Sequence, residues 1–161
     1  MLSIATRYEV ILAKMLRAVP TQSERLQLVS EQGPFGRTLL YSVAQSGNSE
    51  SWKAVLALYP ESEVWKVLNL QDQFGWTALH GAAHSGNLKS IRLFLANYMT
   101  ESERLHVGNM PDSHGWTVLH CAARSGNFEA METILSLYPE SKHFQALHVA
   151  NSFGETVLHR V

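Results

Sequence analysis

Residues 74–87 read FGWTALHGAAHSGN, and the same pattern returns along the chain. Residues 35–48 read FGRTLLYSVAQSGN, residues 114–127 read HGWTVLHCAARSGN, and residues 153–161 begin a further copy, FGETVLHRV. The threonines of the four copies are spaced by 39, 40 and 39 residues. They are Thr38, Thr77, Thr117 and Thr156. A fixed period of this size is typical of a solenoid, in which one supersecondary unit is repeated and stacked.

The composition is that of a soluble globular protein without a strong overall charge. Thirteen basic and 14 acidic residues give a formal net charge of −1, which favours neither nucleic acid nor a membrane as a partner. The apolar N-terminus is interrupted by charges as early as Arg7 and Glu9, so we expect no signal peptide and no anchor. Cys121 is the single cysteine, which favours a reducing compartment such as the cytoplasm.

Each full copy predicts two helices joined by a tight turn. In the second copy, Thr77 is suited to N-cap an inner helix over residues 78–85, and Gly86 to close it in the left-handed conformation. Asn87 then caps an outer helix with Ile91 and Phe94 on its apolar face. Trp52 occupies the matching face in the first copy, so it is predicted to lie in the core.

A third, short helix is predicted in the connector after each outer helix. Pro60 and Pro139 stop the outer helices, and the Glu-Ser pair that follows each proline can start a new one. The middle copy carries one extra residue here, which explains its period of 40. The connector then returns through Asp72, Asp112 or Asn151 to a glycine turn.

Residues 1–19 are predicted to form an amphipathic helix, because their apolar residues recur at helical spacing. The motif TQSERL at residues 21–26 aligns with TESERL at residues 100–105, so this helix matches the outer helix of a repeat. We therefore expect it to cap the N-terminal end of the stack. A helix lying on a membrane surface is the alternative.

These elements predict one all-α domain over residues 1–161. It comprises a partial capping repeat (1–34), full repeats at 35–73, 74–113 and 114–152, and the start of a fourth at 153–161. The last copy stops before either helix is complete, which leaves an uncapped apolar C-terminal face. Either the chain is a fragment of a longer protein, or later residues are disordered, or another chain, such as a partner or a self-associating second copy, covers that face. An intact mass of 18.0 kDa would show that nothing follows Val161.

With these features, the sequence resembles the ankyrin repeat family over about residues 8–161. The family pattern D-x-x-G-x-T-P-L-H-x-A-A-x-x-G is met in two tandem copies. The matching residues are Asp72, Gly75, Thr77, Leu79, His80, Ala82, Ala83 and Gly86, then Asp112, Gly115, Thr117, Leu119, His120, Ala122, Ala123 and Gly126. The resemblance implies a helical solenoid that acts as a non-catalytic protein–protein interaction module, with no cofactor.

The chain departs from that pattern in three ways. The family's proline is replaced by Leu39, Ala78, Val118 or Val157, and its histidine by Tyr41 in the first copy. The repeats also exceed the family's usual length of about 33 residues. Such long repeats resemble those of effectors from intracellular bacteria, which would place the protein in a host-cell cytoplasm.

The histidines and the cysteine could suggest a metal site or a catalytic nucleophile, but their positions in the repeat argue against both. His80, His120 and His159 share one repeat position, where the resemblance implies that the ring bonds the threonine and nearby backbone. Stacked helices lie about 10 Å apart, too far for these rings to share a zinc ion. Cys121 neighbours His120, but adjacent helical side chains diverge, so we expect packing instead of nucleophilic catalysis. No catalytic, cofactor or metal residue is predicted.

Partner binding is predicted at positions where the copies differ. In the resembled pattern these are the turn tip, the residue before threonine and the second residue before the inter-helix glycine, all on the concave side. Aromatic and arginine side chains there are typical of binding hot spots. The predicted residues are Trp76, Trp116, Arg37, His84, Arg124, His114 and Phe74. The alternative for Phe35, Phe74 and Phe153 is packing between neighbouring turns.

The sequence is consistent with two functions. The first is a free-standing interaction module that grips a protein through its concave face and turn tips. The second is the recognition arm of a larger multidomain effector or enzyme whose catalytic part lies elsewhere. A free-standing enzyme is disfavoured, because no acid–base pair or nucleophile constellation is found.

Overall fold

The computed structural model describes residues 17–19, 21–24, 27, 31–98 and 100–160. Between residues 31 and 160, Met99 aside, it contains nine α-helices in three sets of three. The inner helices are α1 (Leu39–Ser46), α4 (Ala78–His84) and α7 (Val118–Ser125). The outer helices are α2 (Ser49–Leu56), α5 (Leu88–Leu95) and α8 (Phe128–Leu135). The connector helices are α3 (Glu61–Leu68), α6 (Glu101–Asn109) and α9 (Glu140–His148).

Each inner helix begins directly after its predicted threonine, and α4 ends at His84, one residue before the predicted end. The N–H of Tyr41 donates to the Thr38 hydroxyl, and that of His80 to the Thr77 hydroxyl. Gly47 and Gly126 close α1 and α7, each with φ of 72°. The predicted caps of these helices are confirmed.

Outer helices α5 and α8 are each capped by an asparagine that also contacts the preceding repeat. The Asn127 Oδ1 accepts from the N–H of Ala130, while its Nδ2 donates to the carbonyl of Gly86. Asn87 repeats this pattern, because its Nδ2 donates to the carbonyl of Gln45. One side chain therefore caps a helix and links two repeats.

The connector helices confirm the predicted third helix of each repeat. α3 and α9 begin directly after Pro60 and Pro139. α6 begins instead after Thr100, which forms a capping box with Glu103. Thr21 and Glu24 make the same pair of hydrogen bonds near the N-terminus, in agreement with the alignment of the two SER motifs. Most of the predicted helix over residues 1–19 lies outside the described residues.

The stack is held together by three layers of contact between repeats. The inner helices α1, α4 and α7 pack in order, and a 3-10 helix, Val157–Arg160, continues the row. The outer helices α2, α5 and α8 form a second row. Between the rows lies an apolar core that includes Trp52, which is 2% exposed and 4.2 Å from the ring of Phe94. The predicted core position of Trp52 is confirmed.

The turns preceding the inner helices are joined by backbone hydrogen bonds. The N–H of Ser113 donates to the carbonyl of Phe74 at 2.9 Å, and Ser152 donates to His114 in the same way. This brings the next turn against Gly75, whose φ is 80°. A Cβ there would lie 2.8 Å from the Ser113 nitrogen, so the position requires glycine.

The histidine of the second and third inner helices links its repeat to the next one. His80 Nδ1 accepts from the N–H of Thr77, and its Nε2 lies 3.3 Å from the carbonyl oxygen of Trp116 in the next repeat. His120 makes the same contacts with Thr117 and with the carbonyl of Glu155. Burial lowers the pKa of His80 to about 4, so the ring is neutral at pH 7.

The interior contains no sign of an activated thiol. Cys121 is fully buried in α7, and burial raises the pKa of its thiol to about 12. A thiol in that state is a packing group and a poor nucleophile. None of the helices in the described part of the chain is long and apolar enough to cross a membrane.

Candidate protein-binding groove

A groove of about 320 Å³ runs across the three successive repeats on the side of the turns and inner helices. All seven residues predicted for partner binding line it. The full lining is Arg37, Phe74, Trp76, His84, Asp112, His114, Trp116, Arg124 and Phe153. The repeat period explains this convergence, because equivalent positions of stacked copies face the same side. Their role in binding stays a prediction.

Trp76 is half-buried and forms one wall of the groove. Its indole Nε1 donates to Asp112 Oδ2 at 2.8 Å, across the boundary to the next repeat. The ring packs edge-to-face with His84, with 5.2 Å between ring centroids. The indole nitrogen of Trp76 therefore links two repeats, and the rest of its exposed ring surface faces the groove.

Trp116 differs from Trp76 although the two occupy the same repeat position. It is only 8% exposed, because the guanidinium groups of Arg124 and Arg160 each lie 5.3 Å from the centre of its ring. Within the described ranges, its indole nitrogen makes no hydrogen bond to the protein. Trp116 thus provides a surface for the two guanidinium groups and leaves little of its own ring exposed to a partner.

Asp112 and Arg160 are site residues that the sequence did not predict. Asp112 Oδ1 accepts from the N–H groups of His114 and Trp116, and its Oδ2 accepts from Trp76. The D-x-x-G motif predicts a turn at its acidic residue, but no local sequence signal predicts the partner of the second carboxylate oxygen. Arg160 lies close to the end of the sequence, 44 residues beyond the ring that it covers.

Arg37 is already engaged by its own protein. Its Nε lies 3.4 Å from Asp72 Oδ2, and its guanidinium lies over the ring of Tyr41 at 4.6 Å. Asp72 Oδ1 in turn accepts from the N–H groups of Phe74 and Trp76. Arg37 is thus neutralised at one end of the groove.

The turn tips form a row of rings at the rim. Phe35 and Phe74 lie 5.8 Å apart between centroids, and His114 and Phe153 lie 5.9 Å apart. Exposure nevertheless remains high, at 55% for Phe35 and 42% for Phe74. These rings therefore contact their neighbours and still present apolar surface to a partner.

His84 and Arg124 are neighbours in the floor of the groove. Burial, and then the positive charge of Arg124, lowers the pKa of His84 below its ordinary value. Arg124 itself is exposed at the second residue before Gly126. The floor therefore places a cation beside a histidine biased toward its neutral form. In the described part of the chain, no group of three or more potential ligands is arranged to hold a metal ion.

We expect the bond between Trp76 and Asp112 to couple the second and third repeats. Asp112→Asn should keep the turn, because Asn151 forms the same turn bonds in the last copy, but it replaces the acceptor for Trp76. Asp112→Asn and Trp76→Phe should each lower the free energy of unfolding by about 1–2 kcal/mol. Combined, they should cost about 1 kcal/mol less than their sum, which urea unfolding of the four proteins measures.

Arg92→Gln on the outer helices is the control for that cycle, because its partner Glu129 is itself 63% exposed. It should change stability by less than about 1 kcal/mol. Strict additivity of Trp76→Phe and Asp112→Asn would show that the bond contributes nothing to the coupling.

Comparison with protein families agrees with this architecture. The model for ankyrin repeats (3 copies) matches residues 2–102 and 54–145. The chain belongs to the ankyrin repeat family. Members are generally protein–protein interaction modules and generally non-catalytic. No curated protein matches the chain in sequence.

Proposed function

We propose that this protein is a non-catalytic interaction module that binds a partner protein in the groove between the turn tips and the inner helices. The observation that carries the proposal is the convergence of seven variable positions on one surface, five of them tryptophan, phenylalanine or arginine side chains contributed by three repeats. Rings and arginines at the centre of an interface supply most of its binding free energy.

The contacts within the groove support binding without large rearrangement. Trp76 is fixed by Asp112, Arg37 by Asp72, and Trp116 by two guanidinium groups. Side chains that are already ordered lose little conformational entropy when a partner docks, so more of the contact energy appears as affinity. The site thus suits recognition of a preformed surface or an extended segment.

The test uses Phe74, which is exposed, and His84, which is half-buried; both lie outside the buried core. Phe74→Ser with His84→Ala should weaken partner binding roughly thirtyfold, since a hot-spot pair contributes about 2 kcal/mol. The measurement is affinity capture from native cells followed by titration of the captured partner by calorimetry. Trp116 is less suitable for this purpose, because it is 8% exposed and its removal would disturb the core.

Arg92→Gln is the matched control, because Arg92 lies on outer helix α5 and pairs with Glu129 of α8 away from the groove. It should bind like the unaltered protein. Circular dichroism and thermal unfolding should show that the groove variant remains folded. A partner that binds the groove variant and the control equally would place the interface elsewhere.

A recognition arm within a larger effector or enzyme is the second candidate. It is supported by Phe144 of α9, which is 74% exposed. The equivalent residue of the first repeat, Trp65, contacts the rings of Tyr98 and His106 in the next repeat. An exposed ring at a position that is covered elsewhere in the stack suits a contact with a further structural element. We infer that either form acts in a reducing compartment such as the cytoplasm.

A further inference from the structure

We propose that the groove selects an extended peptide segment with an Asp or Glu beside an apolar side chain, and that Arg124 receives the carboxylate. This inference rests on the proposed function and specifies the chemistry of the partner. It depends on the unequal state of three arginines around the groove, Arg37, Arg124 and Arg160.

Two of the three arginines are neutralised within the protein. Arg37 pairs with Asp72 at 3.4 Å. Arg160 Nη2 lies 2.7 Å from Glu155 Oε1 and 2.5 Å from Oε2, and these bonds hold the pKa of Glu155 below its ordinary value. Both cations are therefore unavailable as the primary anchor for a ligand carboxylate.

Arg124 is the exception among these three arginines in the described part of the chain. No carboxylate there lies within ion-pair distance of its guanidinium, and the side chain is exposed. The ring of Trp116, 5.3 Å away, provides a surface on which the guanidinium rests. A planar guanidinium held in this way offers two parallel donors to a carboxylate.

The acids of the groove are committed to other partners. Asp112 accepts from two backbone N–H groups and from Trp76, and Asp72 accepts from two backbone N–H groups and from Arg37. Their remaining capacity is small, and both side chains are at most 9% exposed. The charge of Arg124 is thus left for a ligand.

The surroundings of Arg124 define the rest of the ligand. His84 is next to it, and the ring of Trp76 stands against His84 at 5.2 Å. Phe74, 42% exposed, extends this apolar surface toward the rim. An apolar side chain next to the carboxylate would cover these rings. One unneutralised arginine at this groove, in a protein with net charge −1, suits one carboxylate better than the repeated phosphates of a nucleic acid.

The test is selection of short random peptides displayed on phage against the full chain. Enriched peptides should carry Asp or Glu at a fixed distance from an apolar residue. For a synthetic peptide of that sequence, changing the acid to its amide should weaken binding about tenfold, as should Arg124→Gln. Arg124→Lys should keep most of the affinity, and high salt should weaken the acidic peptide more than its amide.

The controls separate the inference from the function on which it rests. Arg92→Gln should bind the acidic peptide normally, and Phe74→Ser with His84→Ala should lose it. Peptides that require the groove but carry no acid would overturn the inference and leave the proposed function intact. Peptides insensitive to the groove substitutions would contradict both, and failure to enrich any peptide would overturn the inference.

Discussion

Gly75→Ala should lower the free energy of unfolding by about 3 kcal/mol or more. Gly75 has φ of 80°, where a side chain is strained. The added Cβ would also lie 2.8 Å from the nitrogen of Ser113 and 2.9 Å from Cα of Asp112. These are backbone atoms fixed by the turn-to-turn hydrogen bonds, so they have little freedom to move away.

The equivalent glycines provide a graded comparison. All four have φ between 74° and 80°, so the conformational cost is the same. The nearest atom to an added Cβ is 2.8 Å away at Gly75, 3.1 Å at Gly115 and 3.3 Å at Gly36, with nothing within 4 Å at Gly154. Destabilisation should decrease in that order, to about 1 kcal/mol for Gly154→Ala.

Urea unfolding followed by circular dichroism measures the series. Equal losses for all four variants would show that backbone conformation alone requires glycine. Losses that fall from Gly75 to Gly154 would show that the close approach of the next turn requires it as well.

Acidification should destabilise the fold before its carboxylates are protonated. The pKa of His80 is about 4 in the folded chain and about 6.5 in the unfolded chain, so the unfolded chain binds the proton first as the pH falls. The contribution of the neutral ring is complete above pH 6.5 and is lost between pH 6.5 and about 4. The loss is on the order of 3 kcal/mol for His80. Burial also lowers the pKa of His120, which adds a loss of the same sign.

His80→Gln is the variant that isolates this effect. A glutamine at this position can complete a capping box with Thr77, but it does not titrate. It should reduce stability at pH 7, since the link to the Trp116 carbonyl changes, and it should flatten the dependence on pH. The slope between pH 6.5 and 4.5 should fall by up to about 1.4 kcal/mol per pH unit. Parallel curves for the two proteins would contradict the assignment.

The sequence predicts the elements whose determinants are local. Thr77, Gly86 and Asn87 each act within a few residues, so their chemistry identifies the caps and turns directly. The prolines before α3 and α9 likewise predict the connector helices. The groove residues follow from the period, because stacking brings equal positions to the same side.

What the sequence could not predict depends on contacts between repeats. Trp76 and Trp116 occupy equivalent positions in nearly identical motifs, yet one donates to Asp112 and the other is covered by two arginines. The difference arises because the third copy has Arg124 where the second has His84, and because Arg160 reaches back over the ring. Which arginine keeps an unpaired charge is likewise a property of the folded stack.

Asn87 and Asn127 each make contacts that would allow the stack to gain a whole repeat. Each asparagine caps its own helix and reaches only one repeat back, and each turn donates only to the turn before it. The second repeat therefore makes the same kind of contact with the repeat before it and the repeat after it. Duplicating residues 74–113 would add a repeat whose two ends fit its neighbours. The groove would then lengthen by one whole row of side chains, and under the proposed function the length of the bound segment would grow in fixed steps.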